Sequence, residues 1–175
     1  SKRQGDIAVE DYLNKGFLPE ALINFVALLG WHPKNEKELF SLNELEKEFS
    51  IKRIQKSGAV FDKDKLDWMN SQYLMNKDLD TIAEFAKPYY NNHGLDISNE
   101  KKYFQIVDNA RRRVNTLSKM PAISEMFYNN VDISSKNLHL VNDKTSQVLF
   151  KDIYTYLTKH VGCNGAQFKT IIMKT

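Results

Sequence analysis

The most apolar stretch of the chain runs from residue 16 to residue 31, and its pattern predicts a helix in the core. Pro19 is expected to be its first helical residue, where the missing N–H would have no intrahelical partner anyway. Gly30 is expected to end it in a left-handed conformation. Apolar residues recur every three or four positions, and others lie opposite them, which predicts an enclosed helix. The main face consists of Leu22, Phe25, Val26 and Leu29.

Helical periodicity recurs along the rest of the chain and predicts an all-α fold. Ser41 and Glu44 are spaced as a capping box, and Phe40 and Leu45 as the hydrophobic staple beside it. Further helices are predicted over 9–15, from Asp62, over 122–129, over 148–160 and from 165. A helix from Leu79 is expected to kink or end at Pro88. The longest helix is expected to begin at Ser98 or Asn99 and to stop just before Pro121. The aromatic residues expected in this core, rather than as exposed platforms, are Trp31, Trp68 and Tyr73.

Composition excludes several classes of protein. No apolar run approaches the ~20 residues of a membrane-spanning helix. The single cysteine, Cys163, excludes an internal disulfide and a cysteine-rich zinc site, and is typical of a reducing, cytoplasmic compartment. The four histidines lack the spacing of metal ligands, so no metal is predicted. The net charge of +3 permits a nucleic-acid partner without requiring one, and a monomer is expected.

The most basic segment is Arg111-Arg112-Arg113, within the predicted longest helix. Successive helical residues point about 100° apart, so one of the three should face the neighbouring helices. From the residues alone, the favoured interpretation is that these arginines cover apolar surface and pair with Asp108, Glu100 or Glu125.

Three ordered stretches resemble glutamyl-tRNA synthetases just after their second signature, K-M/L-S-K-R: residues 1–6, residues 9–12 and residues 16–31. The opening Ser-Lys-Arg is similar to the last three letters of that signature. The resemblance extends over roughly two thirds of the chain. Its later matches are 38–42, 58–62, 65–66, 68–73, Arg111, Arg113, 116–117 and, more weakly, 162–168.

The resemblance implies two helical subdomains. Residues 1–75 would form a stem-contact subdomain, and residues 76–175 an anticodon-binding helical bundle that is incomplete at its C-terminus. The Rossmann catalytic domain and its H-I-G-H signature would be absent. The parent enzyme would be an ATP-dependent, class I glutamate–tRNA ligase that joins glutamate to tRNA-Glu through a glutamyl-adenylate, using ATP with Mg²⁺.

The resemblance also assigns roles to particular residues. Lys2 would be the catalytic lysine that neutralises charge on the departing pyrophosphate, with Ser1 and Arg3 supporting the ATP phosphates. This chain alone would be inactive and would hold no cofactor. Arg111 and Arg113 would contact anticodon nucleotides, since a guanidinium binds phosphates and base edges through two donors or stacks on bases. Lys52 and Arg53 would contact the RNA backbone.

Two alternatives remain open. The chain could be a helical scaffold that binds proteins and no RNA. It could instead come from an enzyme that charges both tRNA-Glu and tRNA-Gln, because Ile172 stands where the family tends to place an arginine. A salt titration of tRNA binding distinguishes the scaffold, because counterion release makes RNA binding steeply salt-dependent.

Overall fold

The computed structural model describes residues 8–55, 60–128 and 142–159. In these ranges the regular structure is helical, apart from one isolated bridge between Trp31 and Ile54, so the predicted all-α fold is confirmed. The chain divides into two compact units, Ser1–Asn130 and Val131–Thr175. The α-helices in the described ranges are α1 (Val9–Asn14), α2 (Pro19–Gly30), α3 (Leu42–Glu48), α4 (Lys63–Asn76), α5 (Leu79–Asn92), α6 (Glu100–Arg111), α7 (Met120–Ser124) and α8 (Lys144–Lys159); short 3₁₀ turns cover Ile51–Arg53, Leu117–Lys119 and Glu125–Phe127.

Helix α2 starts at Pro19 as predicted, but only one side of it is buried. Ala21 and Phe25 are buried, whereas Ile23 is 49% and Val26 62% exposed. The expectation of an enclosed helix, and of Val26 on its buried face, is therefore wrong. The reason is that α3 and α4 pack against α2 over only part of its circumference.

The end of α2 also differs from the prediction. Gly30 is the last helical residue and has no positive φ. Its carbonyl accepts a hydrogen bond from the Gln55 N–H at 2.7 Å, and Trp31 leaves the helix in an extended conformation. A tertiary partner thus replaces the left-handed glycine that would otherwise cap the helix.

The signal at the start of α3 is confirmed in full. The Ser41 hydroxyl accepts from the Glu44 N–H at 3.2 Å, and the Ser41 N–H donates to the Glu44 carboxylate at 2.8 Å. Phe40 and Leu45 are buried together with Trp31, whose ring centroid lies 5.8 Å from that of Phe40. The cap and its staple therefore fix both the direction of α3 and a small aromatic core.

The largest core cluster lies among α5, α6 and α7. The rings of Tyr90 and Tyr103 meet edge to face, with centroids 5.1 Å apart. The Tyr103 hydroxyl donates to the Ala83 carbonyl at 2.7 Å, and the Tyr90 hydroxyl pairs with Ser124 at 2.8 Å. The buried residues that join this cluster from the first 75 positions are Leu18, Ala21 and Leu74. The predicted boundary near residue 75 falls within the unit Ser1–Asn130. The separate roles of residues 1–75 and 76–175 stay a prediction.

Helix α5 continues past Pro88 to Asn92, so of the two outcomes predicted there, a kink or an end, the end is wrong. A proline inside a helix costs a hydrogen bond. Here the apolar face of the helix is buried both before the proline, at Ile82 and Ala86, and after it, at Tyr90. Burial on both sides offsets the missing bond.

Helix α6 begins with Asn99 as its cap, as expected, but ends at Arg111, well before Pro121. The predicted longest helix is therefore wrong, although Val114 and Leu117 are buried as their spacing suggested. The chain turns because its next backbone groups find tertiary partners, among them the Leu117 N–H, which donates to the Gly16 carbonyl at 3.1 Å.

The junction between α1 and α2 meets this turn directly. Gly16 has a φ of +82°, and a Cβ placed on it would lie 2.7 Å from the Leu117 Cβ. Nearby, the Asn70 side chain accepts from the Leu18 N–H at 2.8 Å and donates to the Asn115 carbonyl at 2.6 Å. Three distant segments are thereby joined through one buried amide.

Of the three aromatic residues predicted in the core, Trp31 is buried and Tyr73 packs against the main cluster. Trp68 is 43% exposed, so its prediction is wrong. Helix α4 buries the side that carries Leu66 and Met69, and a residue two positions after Leu66 lies about 200° around the helix.

Within the second unit the structure describes α8, which confirms the helix predicted near residues 148–160. Asp143 accepts from the N–H groups of Thr145 and Ser146 at its start. Several predicted segments lie outside the described residues. They are the helix from residue 165, the 162–168 stretch, residues 56–59, and the last residues of the predicted helices 122–129 and 148–160.

Candidate nucleic-acid interface

The arginine run at the end of α6 is divided by a single carboxylate. Asp108, one turn earlier, pairs with Arg111 at 2.7 Å and with Arg112 at 2.9 Å. Burial opposes ionisation of Asp108, but the hydrogen bonds from both guanidinium groups outweigh it and lower the pKa of the carboxyl group. Asp108 is thus ionised at neutral pH and occupies both arginines.

Arg111 is the arginine that faces the neighbouring helices, as the helical spacing required. Its side chain is 13% exposed, and its Nη1 donates to the main-chain carbonyl of Lys77 at 2.8 Å. Lys77 caps the end of α4. Arg111 therefore links α6 to the α4–α5 corner, and its guanidinium group is engaged within the protein.

Arg113 lies just beyond the end of α6 with its side chain exposed. Its N–H donates to the Ala110 carbonyl at 2.9 Å, which holds the backbone in the last helical turn. Among the residues that the structure describes, the guanidinium group of Arg113 has no hydrogen bond or ion pair. Of the three arginines, Arg113 is the one left available for an external anion.

The basic turn between α3 and α4 is divided in the same way. Arg53 is half-buried, donates to the Glu48 carbonyl and lies with its guanidinium carbon 5.1 Å from the centre of the Trp31 ring. Lys52 is exposed and makes no ion pair with any described residue. Lys63, after the turn, pairs with Asp67 at 2.6 Å. Lys52 is thus the predicted backbone contact whose charge is free.

A cleft between α6 and the Glu125–Phe127 turn was not predicted from the sequence. We call it the Phe127 cleft; Lys102, Gln105, Ile106, Asn109 and Phe127 line it. The only sequence signal was the polar spacing of residues 102, 105 and 109 on one side of α6. The helix predicted over 122–129 is wrong in its extent, because the chain forms α7 and then a 3₁₀ turn there. The position of Phe127 in the cleft therefore could not be predicted.

The positions that the resemblance assigns to the ATP phosphates, Ser1, Lys2 and Arg3, lie outside the described residues. Within the described ranges, no three His, Cys, Asp or Glu side chains come together as a metal site would require. No described helix is long and apolar enough to cross a membrane.

Comparisons with known proteins agree on one family. Residues 1–68 match the model of the class I tRNA synthetases for Glu and Gln, catalytic domain. A glutamate–tRNA ligase from Carboxydothermus hydrogenoformans is 34% identical over 99% of this chain. One from Natranaerobius thermophilus is 40% identical over 81% of it. The chain belongs to the glutamate–tRNA ligase family. It spans 38% and 30%, respectively, of the length of these two ligases.

A solved structure supports the same relationship. The crystal structure of a glutamate–tRNA ligase from Elizabethkingia meningosepticum, in complex with its amino acid, superposes with a TM-score of 0.73 and 28% identity. The match covers 86% of this chain and 30% of that one. The helical architecture described above is therefore shared with a glutamate–tRNA ligase.

Proposed function

We propose that this chain is a tRNA-binding part of a glutamate–tRNA ligase, an enzyme that attaches glutamate to tRNA-Glu using ATP and Mg²⁺ and acts in the cytoplasm. The family relationship supports the parent reaction. The observation that carries the tRNA-binding role is the free guanidinium group of Arg113, beside two arginines that Asp108 occupies. Arg113 would bind a phosphate or an unpaired base of the anticodon loop, and Lys52 an RNA phosphate elsewhere.

The roles of the four predicted contact residues differ under this proposal. Arg113 and Lys52 would touch RNA, because both are exposed and have no intramolecular ion pair with a described residue. Arg111 and Arg53 would hold the surface in shape through the Lys77 and Glu48 carbonyls. Lys2, with Ser1 and Arg3, would act on the ATP phosphates in the parent enzyme.

Direct binding of a transcribed glutamate tRNA tests the proposal. Arg113→Ala should weaken binding by about 1–3 kcal/mol, as expected for a specific arginine contact. Arg112→Ala is the matched control: it removes the same charge one residue away, but from a guanidinium group that is already paired. Arg113→Lys should recover part of the loss, because an ammonium group lacks the planar fork of donors. Equal losses from Arg112→Ala and Arg113→Ala would reduce the role of Arg113 to net charge.

An apolar surface favours the alternative of a protein-binding scaffold. Val9, Ile23, Val26, Leu42 and Phe49 are each at least 44% exposed, and they border one groove between α2 and α3. All five lie in the stretch 1–68 that matches the catalytic-domain model. In a ligase, the remainder of that domain would cover the groove. No binding of glutamate tRNA, or weak binding with little salt dependence, would favour the scaffold instead.

A further inference from the structure

The Phe127 cleft is small enough to hold a single ring-sized group. Its volume is about 240 Å³, below the roughly 300–1,000 Å³ of clefts that hold drug-sized ligands. One wall is α6 and the other is the turn that carries Phe127. A single planar ring can enter such a cleft, whereas a helix cannot.

The aromatic wall of the cleft is open. Phe127 is 42% exposed, and its ring makes no close pair with another described aromatic ring. Its neighbour Met126 is also exposed, at 59%. Every nucleobase has a π face, and stacking on an exposed aromatic side chain is the usual way in which proteins hold unpaired bases.

The opposite wall offers hydrogen bonds. Gln105 and Asn109 are four residues apart on α6, so their side chains project from the same side. Neither amide makes a hydrogen bond to a described residue. Each amide has both a donor and an acceptor, which is what the edge of a nucleobase requires.

One cation lines the cleft, and a second follows the end of α6. Lys102 lies one turn before Gln105, with its ammonium group 4.8 Å from the centre of the Tyr128 ring. Arg113 follows Asn109 by four residues, just beyond the end of α6, and its guanidinium group pairs with no described residue. Among the described residues, no carboxylate lines the cleft. These two cations match a nucleotide chain, whose phosphates flank each base, better than they match a peptide.

We propose that the Phe127 cleft binds one unpaired nucleotide of an RNA. Its base stacks on Phe127, its edge meets Gln105 and Asn109, and the flanking phosphates meet Lys102 and Arg113. The site rests on the RNA-binding function proposed above, and it adds a base-reading contact to the phosphate contacts.

The test compares binding of two RNAs, a transcribed glutamate tRNA and a blunt RNA duplex without unpaired bases. Phe127→Ala should weaken tRNA binding about tenfold, since one stacked base contributes 1–3 kcal/mol and 1.4 kcal/mol is a factor of ten. Duplex binding should not change. Phe127→Trp should retain tRNA affinity and Phe127→Leu should not, because leucine keeps the apolar surface but lacks a π face.

Phe85→Ala is the matched control. Phe85 is 43% exposed and lies 5.8 Å from the Lys77 ammonium group, but it belongs to α5 and does not line the cleft. It should leave both affinities within a factor of two. Normal tRNA binding by Phe127→Ala, or an equal loss on the duplex, overturns the cleft site and leaves the proposed function standing. Failure of the unmodified protein to bind tRNA overturns the proposed function itself.

Discussion

Arg111 donates a hydrogen bond to the main-chain carbonyl of Lys77, 34 positions earlier in the chain, at 2.8 Å. This contact distinguishes Arg111 from Arg113, although the resemblance to glutamyl-tRNA synthetases assigns both arginines to the same role. Arg111 connects helices, and Arg113, two residues later, is free to connect the protein to something else.

Arg111→Ala should lower the free energy of unfolding by about 1.5–3 kcal/mol, the range for hydrogen bonds that involve a charged group. Urea denaturation measures it. Arg112→Ala should change stability by less than about 0.5 kcal/mol, because Arg112 is an exposed partner of the same Asp108. Similar losses from the two variants would contradict the assigned role of the Lys77 carbonyl.

Asn70→Ala should cost about 1–3 kcal/mol for each backbone group that it leaves unpaired, at Leu18 and at Asn115. The measurement is thermal and urea unfolding. Asn43→Ala on α3 is the control, because Asn43 is exposed and its side chain makes no hydrogen bond to a described residue. A small effect at Asn70 would mean that water replaces the amide at no cost.

Two left-handed glycines give a matched pair. Gly94→Ala should cost about 1–2 kcal/mol from backbone strain alone, since nothing lies within 4 Å of its added Cβ. Gly16→Ala should cost clearly more, because its Cβ would also meet Leu117 at 2.7 Å. Equal losses in urea would show that the contact at Leu117 yields easily.

Phe25→Ala should destabilise the first unit by about 3–5 kcal/mol, as expected for a buried aromatic side chain. Val26→Ala, one residue further along α2, should cost less than about 0.5 kcal/mol because Val26 is 62% exposed. The reverse order in urea denaturation would mean that the wrong side of α2 has been placed in the core.

Stability should fall in acid partly through Glu44. Its hydrogen bond from Lys37, together with that from the Ser41 N–H, lowers the pKa of Glu44 to about 2. The folded pKa lies below the unfolded one, so this contribution is complete above about pH 4.5 and is lost as the pH falls toward 2. Glu44→Gln keeps the capping geometry but does not titrate. Its unfolding free energy should therefore depend less steeply on pH between 4.5 and 2, and parallel curves would contradict this assignment.

Local signals in the sequence predicted local structure well. Ser41, Asp62 and Asn99 cap helices as expected, because each bonds to a backbone N–H three residues away. The end of α6 could not be found in this way. It depends on the Leu117 N–H, whose partner at Gly16 is about 100 residues distant, while Val114 and Leu117 kept a helical spacing of apolar positions outside a helix.

The candidate site was predicted in the same partial way. The sequence located the basic run at 111–113, but which arginine is free depends on the positions of Asp108 and of the Lys77 carbonyl. The Phe127 cleft was not predicted because it forms between α6 and the turn that carries Phe127. The sequence indicates only the polar side of α6.

The contact between Gly16 and Leu117 has a consequence for synthesis on the ribosome. The segment that completes the packing around Gly16 is made about 100 residues after it, which takes roughly 5–20 s at 5–20 residues per second. During that interval the apolar residues Leu18 and Ala21 lack the α5–α7 cluster that buries them. The nascent chain would therefore leave Leu18 and Ala21 without their packing partners until the segment around residue 117 emerges.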